Sequence, residues 1–226
     1  MTRLDWEKAF DKVDREGMFL AMDRMGVDDK LVRIVKLLYT ETYFKIEIDG
    51  ETSNWKEQST GIRQGCPLSP YLFLIVMTAI FHDVHDNLRC GVVSSRVPGT
   101  EFDEVMYADD TICISTDTRE MNKMLAEIKT IGGIYGLKLN KTKCEVMKKN
   151  HNANVHFKDG TAVPNKDEVE YLGCTMNQHT NYNRELGKRM QTCMATLKKL
   201  DLFRLRSDCP ASVKIITRDA AIRAKL

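Results

Sequence analysis

The spacing of apolar positions changes character several times along the chain, and each change predicts an element. Residues 3–6, Arg-Leu-Asp-Trp, read as the end of a strand. Two amphipathic helices follow, the first ending near Met25 with Gly26 as a left-handed cap. The second opens at Asp28 and places Leu31, Ile34, Val35 and Leu38 on one face. Tyr43-Phe44-Lys45-Ile46-Glu47-Ile48 alternates as a strand, Asp49-Gly50 supplies turn chemistry, and residues 55–58 return as a hairpin. Ser69 and Pro70 form an N-cap and first-residue pair for a helix to about Leu88. Its first turns are apolar on nearly all sides, so it must be buried.

Residues 105–107 and 112–115 read as short apolar strands around an acidic turn, Asp109-Asp110. Asp117 with Glu120 resembles a capping box for a helix bearing Met121, Met124, Leu125, Ile128 and Ile131, which ends near Tyr135 at Gly136. A short strand at 144–147 completes a βα…ββ…αβ order. That order is compatible with an α+β fold, a ferredoxin-like split βαβ with helices on one sheet face and the other face open to a ligand. Beyond Asn150 come hairpin-like segments at 156–163 and 169–172. A helix with Tyr182, Leu186, Met190, Cys193 and Leu197 at helical spacing follows, and a last helical stretch covers 211–226.

Composition changes this picture only in places. With 226 residues, 42% of them hydrophobic and 29% charged, the chain fits the soluble globular class, and a net charge of +2 does not announce a polyanionic partner. The distribution says more: from Asn181 onward there are 11 Lys and Arg against 4 Asp and Glu, leaving 23 against 28 before it. A basic tail after a mildly acidic body suits phosphate at one end. Seven widely spaced cysteines without a C-x-x-C pair read as reduced packing residues, and the five histidines show no zinc-ligand spacing. No signal-peptide core is present, and the longest apolar run, near residues 71–81, is too short to span a bilayer, so an intracellular soluble protein without a membrane partner is expected.

Adjacent carboxylates at a hairpin tip repel one another unless a cation intervenes, and Mg²⁺ prefers such oxygens while keeping positions for water and phosphates. Asp-Asp is also a common turn dipeptide. What lifts this pair above that is Leu4-Asp5-Trp6-Glu7-Lys8-Ala9-Phe10-Asp11, which places a third acid, Asp5, at the end of a strand able to lie beside the hairpin. With this segment, Gly61-Ile62-Arg63-Gln64-Gly65-Cys66-Pro67-Leu68-Ser69-Pro70, Tyr107-Ala108-Asp109-Asp110 and Gly136-Leu137-Lys138-Leu139-Asn140-Lys141-Thr142-Lys143 in order, the sequence resembles the reverse transcriptases, especially those of non-LTR retrotransposons.

The resemblance implies a polymerase palm over residues 1–150, a primer-grip hairpin and connection over 151–180, and a partial helical thumb over 181–226. It also implies that the fingers are largely missing and that the chain is truncated at both ends, without the endonuclease modules such elements often carry. Two Mg²⁺ ions, with Mn²⁺ as a substitute, would be held by Asp5, Asp109 and Asp110, with the Trp6 backbone beside them. Phe10 would reject a ribose 2′-hydroxyl by collision. Gln64 would contact the incoming nucleotide or template base, and Arg63, Gly65 and Tyr107 complete the substrate set. Lys143 would donate a proton to departing pyrophosphate, Tyr171-Leu172-Gly173 would grip the primer, and Arg184, Lys188 and Arg189 would track the template-primer backbone. Plain alternatives stand beside these: core packing for Phe10, a solvated lysine for Lys143, a turn acid for Asp110, an ordinary strand-to-helix loop at 61–70 and a soluble helix face for the tail cations. The expected partners are an RNA template, a DNA primer and deoxynucleoside triphosphates. The rival function is a catalytically inactive nucleic-acid-binding remnant.

Overall fold

The computed structural model describes residues 1–89, 104–150, 152–178 and 183–223. Cys90, His151, His179 and Tyr182, and the end of the last predicted helix, lie outside the described residues. The chain divides into two units, Met1–Val169 and Glu170–Leu226.

In the first unit the order is β1 (Thr2–Leu4), α1 (Ala9–Lys12), α2 (Arg15–Arg24), α3 (Asp29–Tyr39), four two-residue strands, α4 (Ser69–Arg89), β6 (Glu104–Tyr107), β7 (Asp110–Cys113), α5 (Thr118–Ile134) and β8 (Glu145–Val146). The two-residue strands β2 (Tyr43–Phe44), β3 (Glu47–Ile48), β4 (Glu51–Thr52) and β5 (Lys56–Glu57) form one projecting hairpin, β2 with β5 and β3 with β4. Its turn puts Asp49 and Gly50 at φ 52° and 85°, the left-handed pair that a two-residue hairpin turn requires. Strands β6, β7, β1 and β8 build one four-stranded sheet in that order, antiparallel throughout. The observed class is α+β with antiparallel sheets, and no described helix is long and apolar enough to cross a membrane.

Strand alternation assigns the two faces of this sheet. Thr2, Leu4, Trp6, Thr111, Cys113, Cys144 and Val146 are buried toward the helices. Arg3, Asp5, Val105, Tyr107, Asp110 and Glu145 alternate with them and face the other way. The helical side is sealed by Met18, Ala21 and Met22 of α2, Leu72, Phe73, Val76, Met77, Ile80, Phe81 and Val84 of α4, and the Met121, Met124, Leu125, Ile128 and Ile131 stripe of α5. Arg24 clamps these three helices, donating to the carboxylate of Asp83 and, at 2.8 Å, to the hydroxyl of the fully buried Tyr135.

Three expectations are corrected and a fourth is refined. The buried face of α3 is Val32, Val35 and Tyr39, whereas Leu31, Ile34 and Leu38 are exposed: the apolar arc is wider than the arc that meets the core. Ser69 is the first residue of α4, and its hydroxyl donates to the Arg63 carbonyl instead of accepting from the helix. Asp117 caps α5 by accepting from Arg119 N, and Ser115 joins this terminus, donating its hydroxyl to Glu120 and accepting from Asp117 N. The second acidic strand begins at Asp110, two residues earlier than its apolar run, since Asp110 pairs with Tyr107.

The division between the units falls within β9 (Glu168–Tyr171), which pairs with β10 (Cys174–Asn177) around Leu172 and Gly173, both left-handed at φ 49° and 75°. Two helices follow, α6 (Asn183–Arg206) and α7 (Ala211–Arg223). On α6 the predicted apolar stripe is not a core face: Cys193 is buried, but Leu186 and Met190 are exposed.

Candidate active site

The registers of the sheet decide which acids can meet. Thr2, Arg3 and Leu4 pair with Cys113, Ile112 and Thr111, so Asp5 follows the last paired residue of β1 and Asp110 precedes that residue's partner, Thr111, on β7. Asp110 in turn pairs with Tyr107 on β6. Tyr107, Asp110 and Asp5 therefore lie at the same end of three neighbouring strands, and strand alternation puts this acidic row on the face opposite α2, α4 and α5. Asp109 lies in the two-residue turn between Tyr107 and Asp110, beside an Ala108 held at φ 53°. A left-handed alanine costs about 1 kcal/mol or more, a strain kept where the surrounding pairing dictates the turn.

The buried side of the same strands fixes this row. Trp6 donates its indole N–H to Thr111 Oγ1 at 3.3 Å, and its ring packs so closely on α5 that a Cβ at Gly132 would lie 3.2 Å from it. After Leu4 the chain pairs with residues 138–140: Glu7 N donates to the Lys138 carbonyl and Asn140 N to the Asp5 carbonyl, 2.9 and 2.8 Å. Trp6 and Leu139 are thus a non-hydrogen-bonded pair, and the Trp6 carbonyl is directed to the opposite side, where β7 runs. The Asp5 N–H faces Cys144 Sγ at 3.5 Å, and burial pushes that thiol's pKa up.

Among the described residues no hydrogen bond or ion pair reaches the carboxylates of Asp5, Asp109 or Asp110, while Arg3 on the same face pairs with Glu145 at 3.6 Å. Neighbouring acids without a cationic partner are chemically suited to a divalent ion. Their side chains do not stand as a closed cluster of three metal-ligating groups among the described residues, so what the fold supplies is adjacency of backbone positions. Lys143 is exposed on the turn that follows Asn140, with its N–H donated to the Asn140 carbonyl.

A second group of predicted residues converges on α1. Phe10 is half-buried and stacks on Phe73 of α4, ring centroids 4.5 Å apart and 18° between planes. The loop carrying Arg63, Gln64 and Gly65 is hydrogen-bonded to the same segment, Ile62 N to the Phe10 carbonyl and Gly61 N to that of Val13. Gln64 is exposed and donates to Asp11, and Gly65 is exposed at φ 82° with open space around its Cα. Arg63 is exposed, its guanidinium donating to the Leu38 carbonyl and lying over the Tyr39 ring, 5.8 Å from the centroid. Arg15 approaches that ring at 5.2 Å and donates to the Gly61 carbonyl. Sequence reasoning missed Asp11, Arg15, Tyr39 and Gly132. The unexplained Gly132-Gly133 pair inside a predicted helix was the one visible signal among them.

In the second unit, Tyr171, Leu172 and Gly173 form the end of β9 and its turn. Arg184, Lys188 and Arg189 lie on the first turns of α6. Arg189 donates to Glu185 at 2.7 Å, holding that carboxyl down to about 2, and Lys188 approaches Glu170 at 3.5 Å.

Comparison with known proteins bears on the same residues. A Pol polyprotein of the type-1 retrotransposable element R2 from Popillia japonica is 30% identical over 141 residues, covering 62% of this chain and 23% of that protein. One from the type-2 element R2DM of Drosophila melanogaster is 26% identical over 229 residues, covering 92% and 21%. The chain thus spans about a fifth of the length of these relatives. Among solved structures, apo telomerase from Candida tropicalis, truncated from its C-terminal domain, shares the fold with a TM-score of 0.55 at 14% identity, over 78% of this chain and 33% of that one. Residues 1–176 match the reverse transcriptase (RNA-dependent DNA polymerase) family as a whole, so the acidic row, the turn beside it and the Gln64 loop all lie inside the matched stretch, and the chain belongs to that family, among reverse transcriptases of the non-LTR retrotransposon type.

Proposed function

We propose that this chain carries the catalytic palm, primer-grip hairpin and part of the thumb of an RNA-directed DNA polymerase of a non-LTR retrotransposon. The palm is residues 1–150, the connection 151–180 and the thumb 181–226. The observation that carries this reading is the placement of Asp5 just past the end of β1 and Asp110 at the start of neighbouring β7, with Asp109 in the adjoining turn, on the sheet face opposite α2, α4 and α5. Asp5, Asp109 and Asp110, with the Trp6 carbonyl, would hold two Mg²⁺, or Mn²⁺ in their place. Bound there, such ions lower the pKa of a primer 3′-hydroxyl and stabilise pyrophosphate as it leaves. The chain's own residues do the positioning. Phe10, backed by Phe73, presents a ring edge against the sugar, Gln64 and Gly65 line the nucleotide, Tyr107 flanks the primer end, and Lys143 supplies a proton to the leaving group. Tyr171, Leu172 and Gly173 hold the primer, while Arg184, Lys188 and Arg189 face the template-primer phosphates.

Primer extension tests this directly. An RNA template annealed to a DNA primer should accept deoxynucleotides in the presence of Mg²⁺, lose incorporation under EDTA and regain it on adding Mg²⁺ or Mn²⁺. Salt-sensitive binding of the duplex without incorporation under any of these conditions would instead establish the inactive remnant.

Phe10 sets the sugar specificity. Phe10→Val should raise ribonucleotide incorporation relative to deoxyribonucleotide by about tenfold or more, as removal of one steric block allows. Competition assays with matched nucleotide pairs read the ratio. An unchanged ratio leaves Phe10 with only its packing role on Phe73.

A further inference from the structure

We infer that Asp11 is the positioning residue for Gln64, fixing which end of its amide is offered to the incoming nucleotide; this rests on the polymerase reading above. Gln64 Nε2 lies 2.9 Å from Asp11 Oδ1. An ionised carboxylate only accepts, so the amide nitrogen is the end that must face Asp11, and the carbonyl oxygen is the end turned outward. Gln64 then offers its ligand first an acceptor, the carbonyl oxygen, with one amide N–H still beside Asp11. That suits a sugar hydroxyl or a base amine and disfavours a phosphate oxygen or a base carbonyl.

The frame behind this hydrogen bond is rigid. Over residues 60–62 the loop is attached to the segment 10–13 by Thr60 Oγ1 to the Asp11 carbonyl, Gly61 N to the Val13 carbonyl and Ile62 N to the Phe10 carbonyl, 3.3, 2.8 and 2.7 Å. The backbones approach so closely that a Cβ on Gly61 would lie 2.7 Å from the Asp11 carbonyl oxygen. One strap therefore carries both the Phe10 ring and the residue that orients Gln64. Asp11 itself is exposed and fills no part of the core, so a surface hydrogen bond of this kind contributes little to stability and its effect is orientational.

Single-nucleotide incorporation by the full chain on an RNA template and DNA primer separates this role from a structural one. Asp11→Ala should raise KM for the deoxynucleotide about tenfold while kcat stays within about threefold, the value of one charge-assisted hydrogen bond. Melting temperature and template-primer affinity should not move. Asp11→Asn should restore most of the loss, since its side-chain carbonyl accepts the same hydrogen bond. In a Gln64→Ala background, Asp11→Ala should add nothing, because the residue through which it acts is gone. An unchanged KM in Asp11→Ala, or an undiminished loss in the Gln64→Ala background, overturns the role and leaves the polymerase reading standing. No incorporation by the wild-type chain overturns that reading, and the role with it.

Discussion

Asp109→Asn or Asp5→Asn lowers kcat for nucleotide incorporation by on the order of 10³-fold, about 4 kcal/mol of transition-state stabilisation, without weakening template-primer binding. Asparagine keeps the size and one acceptor oxygen while removing the charge and replacing the other oxygen with an NH₂ donor. The same change should leave the melting temperature unchanged or slightly raised in metal-free buffer, because Asp5 and the Asp109-Asp110 turn lie at the same end of neighbouring strands with no described cation to offset their repulsion. Activity and stability therefore move independently, which no packing defect would produce. Rapid-quench incorporation, duplex affinity and thermal melting on the same preparations check it. Equal incorporation by Asp109→Asn and wild type would remove these acids from the chemistry.

Where one face of an element meets the core and the rest meets water, its burial could be read before the structure. The Met121, Met124, Leu125, Ile128 and Ile131 stripe of α5 is such a case, and every one of those residues is buried. In α3 the apolar arc runs beyond the packed one, and periodicity cannot say whether Leu31 and Ile34 or Val32 and Tyr39 meet the core. At the start of α5 the Ser115 hydroxyl bridges Asp117 N and Glu120, a participant that lies outside the capping motif's spacing. At the site, the acids were legible because their motifs are local strings. Their adjacency was not, since it depends on the register between β1 and β7, over a hundred residues apart. The supporting partners, Asp11 under Gln64, Thr111 under Trp6 and Tyr39 between two arginines, are all long-range pairs of ordinary residue types.

Gly136 is where a single methyl group should damage the fold most. It ends α5 at φ 78°, a conformation that strains any L side chain, and there the chain turns back against the junction of α1 and α2. A Cβ added there would lie 2.4 Å from the Lys12 carbonyl oxygen and 2.8 Å from Asp14 N, both backbone atoms that cannot rotate aside. The neighbouring Asp14 N to Tyr135 carbonyl bond, 2.8 Å, ties the two backbones together, so relief of the clash would break it. Gly136→Ala should cost about 3–5 kcal/mol and lower the melting temperature by roughly 10 °C. Gly26 is the control: it caps α2 at φ 71° with nothing within 4 Å of an added Cβ, so Gly26→Ala carries only the left-handed strain, about 1 kcal/mol. The difference between the two substitutions measures the backbone collision alone. Because Phe10 and Asp11 lie on the segment that Gly136 supports, the variant that remains folded below its melting temperature should also lose discrimination at the sugar, which Gly26→Ala should leave intact. Equal destabilisation by the two substitutions would show that the approach of Gly136 to Lys12 and Asp14 is not a constraint on the native backbone.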